Sequence, residues 1–200
     1  MPMNFKHLKE LIDENGELRV PETINLYDFD GPGIHFKLEN IGANAFNGLT
    51  ELKKLFIPAN CVNVEWSFYH CFNLAEINVV EANPSYCSLD GVLYTKDIKK
   101  LVAYPNAHGK EYHIPEGVEI VDHFAFKSCR NIETIYLSNS VRKIGINALY
   151  KCNNLKIVYL PDNFKTLQKH TENANVRCKF VYNGKEYSYQ EALDTFNDSK

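Results

Sequence analysis

One pattern, stated twice at a fixed interval, constrains this chain more than anything else in it. Phe126, Cys129, Ile132, Ile135 and Leu137 recur as Leu149, Cys152, Leu155, Val158 and Leu160, and every pair is 23 residues apart. A fixed period of this size marks a repeat architecture. Inside each period the apolar residues stand three apart and then two apart, so the chain curves inward and then runs briefly as a strand. Each repeat is therefore expected to be one coil of a solenoid.

The same phase can be carried in both directions. Upstream, Ile41-Gly42-Ala43-Asn44-Ala45-Phe46 opens a coil that continues through Leu49, Leu52, Leu55 and Ile57 and closes at Pro58. Phe68, Cys71, Leu74, Ile77 and Val79 follow their counterparts by 22 residues. Trp66 and Phe68 are bulky and expected inside, since aromatic burial dominates core energetics. The third coil breaks the interval: Ile77 to Tyr112 is 35 residues. The excess falls in an insertion at about 83–105, whose strand-like runs Val92-Leu93-Tyr94 and 100–104 flank Lys96-Asp97 and predict a β-hairpin standing on the solenoid. Downstream, Phe180 and Tyr182 fall 22 residues beyond Val158 and Leu160.

The ends read as caps, which a solenoid needs to cover its terminal coils. Phe5, Leu8, Leu11 and Ile12 predict an amphipathic helix over 3–13, within an N-terminal cap of about 1–40. Asp28 and Asp30 lie in turn chemistry and are read as turn formers. At the other end Asn183-Gly184 predicts a two-residue hairpin turn, and Ser188 with Glu191 predicts a capping box opening a short helix. The C-terminal cap is 183–200 and the solenoid proper 41–182. With 200 residues and 44% hydrophobic content, one domain over 1–200 is expected.

Charge and cysteine content narrow the function classes. The net charge of -3 comes from 25 acidic and 22 basic residues with no block of five like charges, which argues against a nucleic-acid footprint. No apolar run is long enough to span a membrane, so no membrane insertion is expected. The N-terminus lacks the apolar core of a secretory signal, so the chain as written reads as cytoplasmic, with a secreted or cell-surface location as the alternative if a leader has been removed. Cys71, Cys129 and Cys152 each precede by three residues the apolar position filled by Leu74, Ile132 and Leu155. The coil thus accounts for their spacing without disulfides, and buried thiols are expected.

The motif Ile-Gly-x-x-Ala-Phe-x-x-Cys-x-x-Leu-x-x-Ile-x-Leu-Pro, interrupted by Asp-Gly-Val-Leu-Tyr, resembles the BspA-like, or Treponema-pallidum-type, leucine-rich repeat family. The residues carrying it are Ile41-Gly42 with Ala45-Phe46, Ala125-Phe126 with Cys129, Ala148-Leu149 with Cys152, and Asp90 to Tyr94. Departures are Leu49 for Cys, Ser67 for Ala, Leu149 for Phe and Ser138 for the closing Pro. The resemblance implies an α/β-type repeat solenoid: a leucine-rich-repeat right-handed superhelix with one short parallel strand per coil, an inserted hairpin, and helical caps at both ends. It also implies interaction with proteins and, in many members, adhesion to host or bacterial proteins.

Alternation along each strand separates inward from outward residues. Successive strands about 4.8 Å apart would stack Phe56, Asn78, His113, Tyr136, Tyr159 and Val181 as one outward row, with Ile157 in the row beside it. Aromatic residues there, bordered by charge, are suited to a protein interface; the sheet propensity of Tyr and Phe also accounts for them. Phe56, Asn78, His113, Tyr136, Ile157 and Tyr159 are the candidate partner-binding residues. No nucleophile, zinc, phosphate-loop or dinucleotide motif is present. The pairs His70 with Cys71 and His123 with Cys129 are weak candidates for Cys/His hydrolysis, and His108, Glu111 and His113 for a metal. The expectation is a monomeric, cofactor-free, non-enzymatic module that binds a protein, with a structural accessory domain as the second reading.

Overall fold

The computed structural model describes residues 9–26, 34–65, 68–169 and 177–197. The expected N-terminal helix falls largely outside them, as do Asp28, Asp30 and Trp66. Among the described residues the terminal helix is the C-terminal one, Tyr189–Thr195. Its capping box is formed as the sequence predicts: the Ser188 hydroxyl accepts from the Glu191 N–H, and the Glu191 carboxylate accepts from the Ser188 N–H.

The repeat is a right-handed leucine-rich-repeat solenoid of parallel strands. Each regular coil supplies a front strand, where the apolar spacing tightens to two, and a second strand of two residues further on. The front strands form two sheets. Glu17–Arg19, Lys54–Ile57 and Glu76–Val79 make the first; Glu111–His113, Thr134–Tyr136, Ile157–Tyr159, Lys179–Tyr182 and the antiparallel Lys185–Tyr187 make the second. Register follows the sequence phase, with Tyr112, Ile135, Val158 and Phe180 aligned across the second sheet. Asn183 and Gly184, at φ 50 and 73, form the predicted turn. The expectation of one strand per coil misses the short strands such as Ile120–Val121, Lys143–Ile144 and Thr166–Leu167, which stack into a sheet of their own.

The insertion corrects the sequence reading. It does not stand on the solenoid. Tyr86–Leu89, Val92–Thr95 and Lys100–Ala103 form an antiparallel meander that continues the sheet of short strands, with Lys100–Ala103 pairing in parallel with Ile120–Val121. Val92, Leu93, Tyr94 and Leu101 are fully buried. Leu93 and Ala103 pack into an N-terminal core with Leu18, Leu55 and Ile77, whereas Val92, Tyr94 and Leu101 pack into a C-terminal core with Phe126, Ile135 and Val158. The meander is a wall with a core on each side, which explains why its residues are apolar at successive positions.

Coil geometry also rests on backbone the sequence shows only in part. Gly48, His70, Ser128 and Lys151 all have φ between 58 and 79, and each immediately precedes the buried Leu49, Cys71 or Cys129 or the half-buried Cys152. Only glycine adopts this conformation without cost; the coil imposes it on the other three. The thiols then tie coils together: Cys71 Sγ donates to the Phe46 carbonyl at 2.8 Å and Cys152 Sγ to the Phe126 carbonyl at 2.8 Å. None of the six cysteines is bridged.

Candidate functional site

The front strands alternate more buried inward residues with half-buried or exposed outward ones, so the row points outward as expected, but not as one row. Ile77 N–H donates to the Gly91 carbonyl at 2.7 Å and Val79 N–H to Ser88 Oγ at 3.1 Å. The tip of the first hairpin therefore occupies the edge on which the next coil would have added its strand. The signal for this tip was the Asp90-Gly91 dipeptide, both residues at positive φ, which the sequence reading assigned only to the family motif. Phe56 and Asn78 lie on the first sheet; His113, Tyr136, Ile157 and Tyr159 lie on the second.

On the second sheet the rings form a ladder. His113 stacks on Tyr136 with centroids 4.1 Å apart and planes 4° from parallel, and Tyr136 stacks on Tyr159 at 4.8 Å and 1°. Aligned register places these rings one above another, and the coil spacing holds them at stacking distance. The Tyr136 hydroxyl resists ionisation more than an ordinary phenol, first through desolvation and then through Glu111 and Tyr159. Val181 continues the row next to Tyr159, and Ile157 sits between Thr134 and Lys179 in the adjoining row. A charged ladder borders the rings: Glu133 bridges Lys110 at 3.2 Å and Lys156, and Lys179 pairs with Glu186.

The first sheet presents different chemistry. The Arg19 guanidinium lies 3.9 Å above the Phe56 ring, covering the aromatic face with a cation from the same molecule. Asn78 donates to Glu76 at 3.2 Å, and Glu76 pairs with Lys54 at 3.1 Å. Beside this sheet lies a hollow lined by Glu76, Asn78, Ser88, Asp90 and His108.

The residues considered for catalysis are buried or engaged with other partners. Cys71 is fully buried with its thiol pushed up to about 12 by desolvation, while His70 is only half-buried and its pKa is lowered by burial and by Lys151, Arg130 and Lys127. His123 Nδ1 accepts the Ile146 N–H at 3.1 Å, and Cys129 is fully buried with its thiol donating to the Tyr104 carbonyl. A protonated thiol in such a setting is a poor nucleophile. His108 engages the Ala75 carbonyl and packs edge-on against Tyr104 and Tyr112, whereas His113 is committed to Tyr136. Among the described residues no group of three His, Cys, Asp or Glu side chains is placed to hold a metal ion, and no helix is long and apolar enough to cross a membrane.

A family model described as the BspA type leucine rich repeat region matches this chain in six copies, over residues 24–88 and 96–182. The gap between the two matches falls in the meander. The solved structure of the pneumococcal vaccine antigen PcpA is similar at a TM-score of 0.59 and 23% identity, covering 75% of this chain and 40% of that one. A leucine rich cell surface protein from Faecalibacterium prausnitzii A2-165 is similar at a TM-score of 0.55 and 25% identity, covering 70% and 43%. Tubulin-folding cofactor D of Schizosaccharomyces pombe is 30% identical over 82 residues, which is 39% of this chain and 7% of that protein. The chain thus spans less than half the length of each of these proteins.

Proposed function

We propose that this chain, which belongs to the BspA type leucine-rich repeat family, binds a protein partner through the second front sheet, with His113, Tyr136 and Tyr159 as the centre of the contact and Ile157 beside them. The observation that carries this reading is the coplanar ring ladder. Its rings are already ordered by one another, so binding immobilises little that is free, and tyrosine offers a large contact area with a hydroxyl at its end. The ion-pair border favours a partner whose own rim is polar. Phe56 and Asn78 contribute less, because Arg19 and Glu76 already engage them. The protein acts as a monomer without a cofactor, and no catalytic step is assigned to it.

Adhesion at a cell surface is the narrower form of the proposal, supported by the similarity to the Faecalibacterium cell surface protein. A cytoplasmic location is supported by six unbridged thiols; fractionation of the source cells separates the two. A structural accessory role without a ligand is the competing reading. Tyr136→Ala combined with Tyr159→Ala discriminates them in a pull-down from the source organism. Loss of a captured protein with unchanged circular dichroism is expected, and unchanged capture overturns the assignment to this sheet.

A further inference from the structure

An edge strand exposes a row of backbone N–H and C=O groups, and soluble proteins usually cover or blunt such rows. The two front sheets have four edges, and three of them are met by the chain itself. On Glu17–Arg19, the Glu17 N–H donates to the Asp13 carboxylate at 2.8 Å and the Glu17 carbonyl accepts the Asp13 N–H at 3.0 Å. On Glu76–Val79, the Gly91 carbonyl and the Ser88 hydroxyl accept the Ile77 and Val79 N–H groups. Lys179–Tyr182 is paired with the antiparallel Lys185–Tyr187.

Glu111–His113 is the exception. The Thr134 N–H donates to the Lys110 carbonyl and the Ile114 N–H to the Tyr136 carbonyl, so Lys110, Tyr112 and Ile114 turn their backbone groups toward Thr134–Tyr136. The residues between them turn theirs the opposite way. The N–H and C=O groups of Glu111 and His113 therefore face the side on which the sheet ends. Among the described residues none of these four groups has a hydrogen-bond partner, and both residues are exposed. His108 lines the polar hollow of about 540 Å³ and packs edge-on against Tyr112, so the strand adjoins that hollow.

The side chains along this edge are unpartnered in the same way. The other charged positions of the row that holds Glu111 are Glu17, Lys54, Glu76 and Lys179. Each is in an ion pair: Glu17 with Arg19, Lys54 with Glu76, and Lys179 with Glu186. Among the described residues Glu111 is in none. The His113 ring stacks on Tyr136 by one face, and its other face carries no ring.

We infer that this edge is a β-augmentation site for an extended segment of a protein partner, in which a basic and an aromatic residue stand two apart. Main-chain bonds to Glu111 and His113 hold the segment, and its alternate side chains select it. A strand added about 4.8 Å away lays its aromatic ring on the free face of His113 as a further rung. Its lysine or arginine meets Glu111 as Lys54 meets Glu76. The stacking rests on the front-sheet reading, since it extends that ladder; the backbone pairing stands without it. The same strand of a second copy presents glutamate and histidine at these positions and supplies neither group.

Amide hydrogen exchange followed by NMR on the full chain tests this with the peptide Ser-Lys-Thr-Tyr-Thr-Lys-Ser, which reads the same in either strand direction. In the free protein the Glu111 and His113 amides are expected to exchange at least about tenfold faster than those of Tyr112 and Ile114. Saturating peptide should slow both by at least about tenfold, and exchange at Tyr112 and Ile114 reports that the sheet is intact. Of two further peptides, one N-methylated on Lys and Tyr and the other on Thr, one should bind like the parent and the other not at all, because alternate N–H groups face the edge. Alanine in place of the peptide tyrosine should weaken binding about threefold to tenfold, and Glu111→Gln about twofold to fivefold. Protection of Glu111 and His113 without peptide means that the hairpin tip or a second copy already occupies the edge, and overturns the inference. So does a failure of the peptide to bind, binding that leaves these amides unprotected, or equal behaviour of the two N-methylated peptides. Capture of a partner by the front sheet is scored separately, with Tyr136→Ala and Tyr159→Ala, so either proposal can fail alone.

Discussion

The two front sheets are built from the same coil and face outward at the same phase, yet they present different surfaces. On the first, Phe56 lies beneath Arg19 and Asn78 bonds Glu76. On the second, three rings stack on one another with their edges toward solvent. The repeat determines which positions point outward; the residue at each position determines whether the molecule satisfies it internally or leaves it for a partner. The meander enforces the division, because Ser88 and Gly91 occupy the edge of Glu76–Val79.

The largest expected effect concerns whether the two halves fold together. Leu93 is fully buried on the N-terminal side of the wall, between Val92 and Tyr94 on the other. Leu93→Ala should cost about 2–5 kcal/mol through the cavity it leaves, and urea unfolding should remain a single transition because the wall belongs to both cores. Two separated transitions in the parent protein would instead show that the halves are independent.

Next comes a pair of glycines at the same phase. A Cβ on Gly145 would meet the His123 nitrogen at 2.9 Å and the Asp122 carbonyl carbon at 3.0 Å, backbone of the preceding coil, whereas a Cβ on Gly42 would meet nothing within 4 Å. Gly145→Ala should therefore lose about 1–3 kcal/mol by forcing coils apart, and Gly42→Ala should stay within about 0.5 kcal/mol of the parent. Equal losses in thermal denaturation would contradict stacking as the reason for the glycine.

Alkaline pH acts on both halves. Burial holds Cys71 in the N-terminal core and Cys178 in the C-terminal core at about 12, against an ordinary 9.0. Above pH 9 the unfolded chain releases protons that the folded chain keeps, so this stabilisation is complete below pH 9 and is lost as pH rises toward 12. The slope is about 1.4 kcal/mol per pH unit for each thiol. Cys71→Ala and Cys178→Ala should each flatten the decline in urea midpoint between pH 8 and 10 by a similar amount, and a slope unchanged by either would show the thiols are accessible.

The smallest effect is within the surface rows themselves. A double-mutant cycle on Tyr136 and Tyr159 should give a coupling of about 0.5–1.5 kcal/mol, and one on Arg19 and Phe56 about 0.5–1 kcal/mol. Zero coupling for the tyrosines would mean that the rings are aligned by the backbone alone, which weakens the case for an ordered contact surface.

Much of this was legible without coordinates. Hydrophobic phase is local information, so the coil, its inward residues, the burial of Cys71 and Cys129, the Asn183-Gly184 turn and the Ser188 capping box could all be read from spacing and residue type. The outward orientation of His113, Tyr136 and Tyr159 followed from alternation. The continuity of the row did not, because it depends on what fills the edge of Glu76–Val79, and that group comes from the Asp90-Gly91 turn of another hairpin. The left-handed backbone at Ser128 and Lys151 was equally hidden, since nothing in those side chains favours it and stacking in the coil imposes it.

Sequence by itself thus determined the solenoid, its phase and the residues on each face, because a strict period leaves few ways to bury its apolar positions. Tertiary structure decided that the insertion is a core wall and that the front face is two sheets. Those outcomes depend on packing between segments that the repeat does not place together, such as Tyr94 in one core with Phe126 and the Gly91 carbonyl on the Ile77 N–H, and no local pattern encodes such contacts.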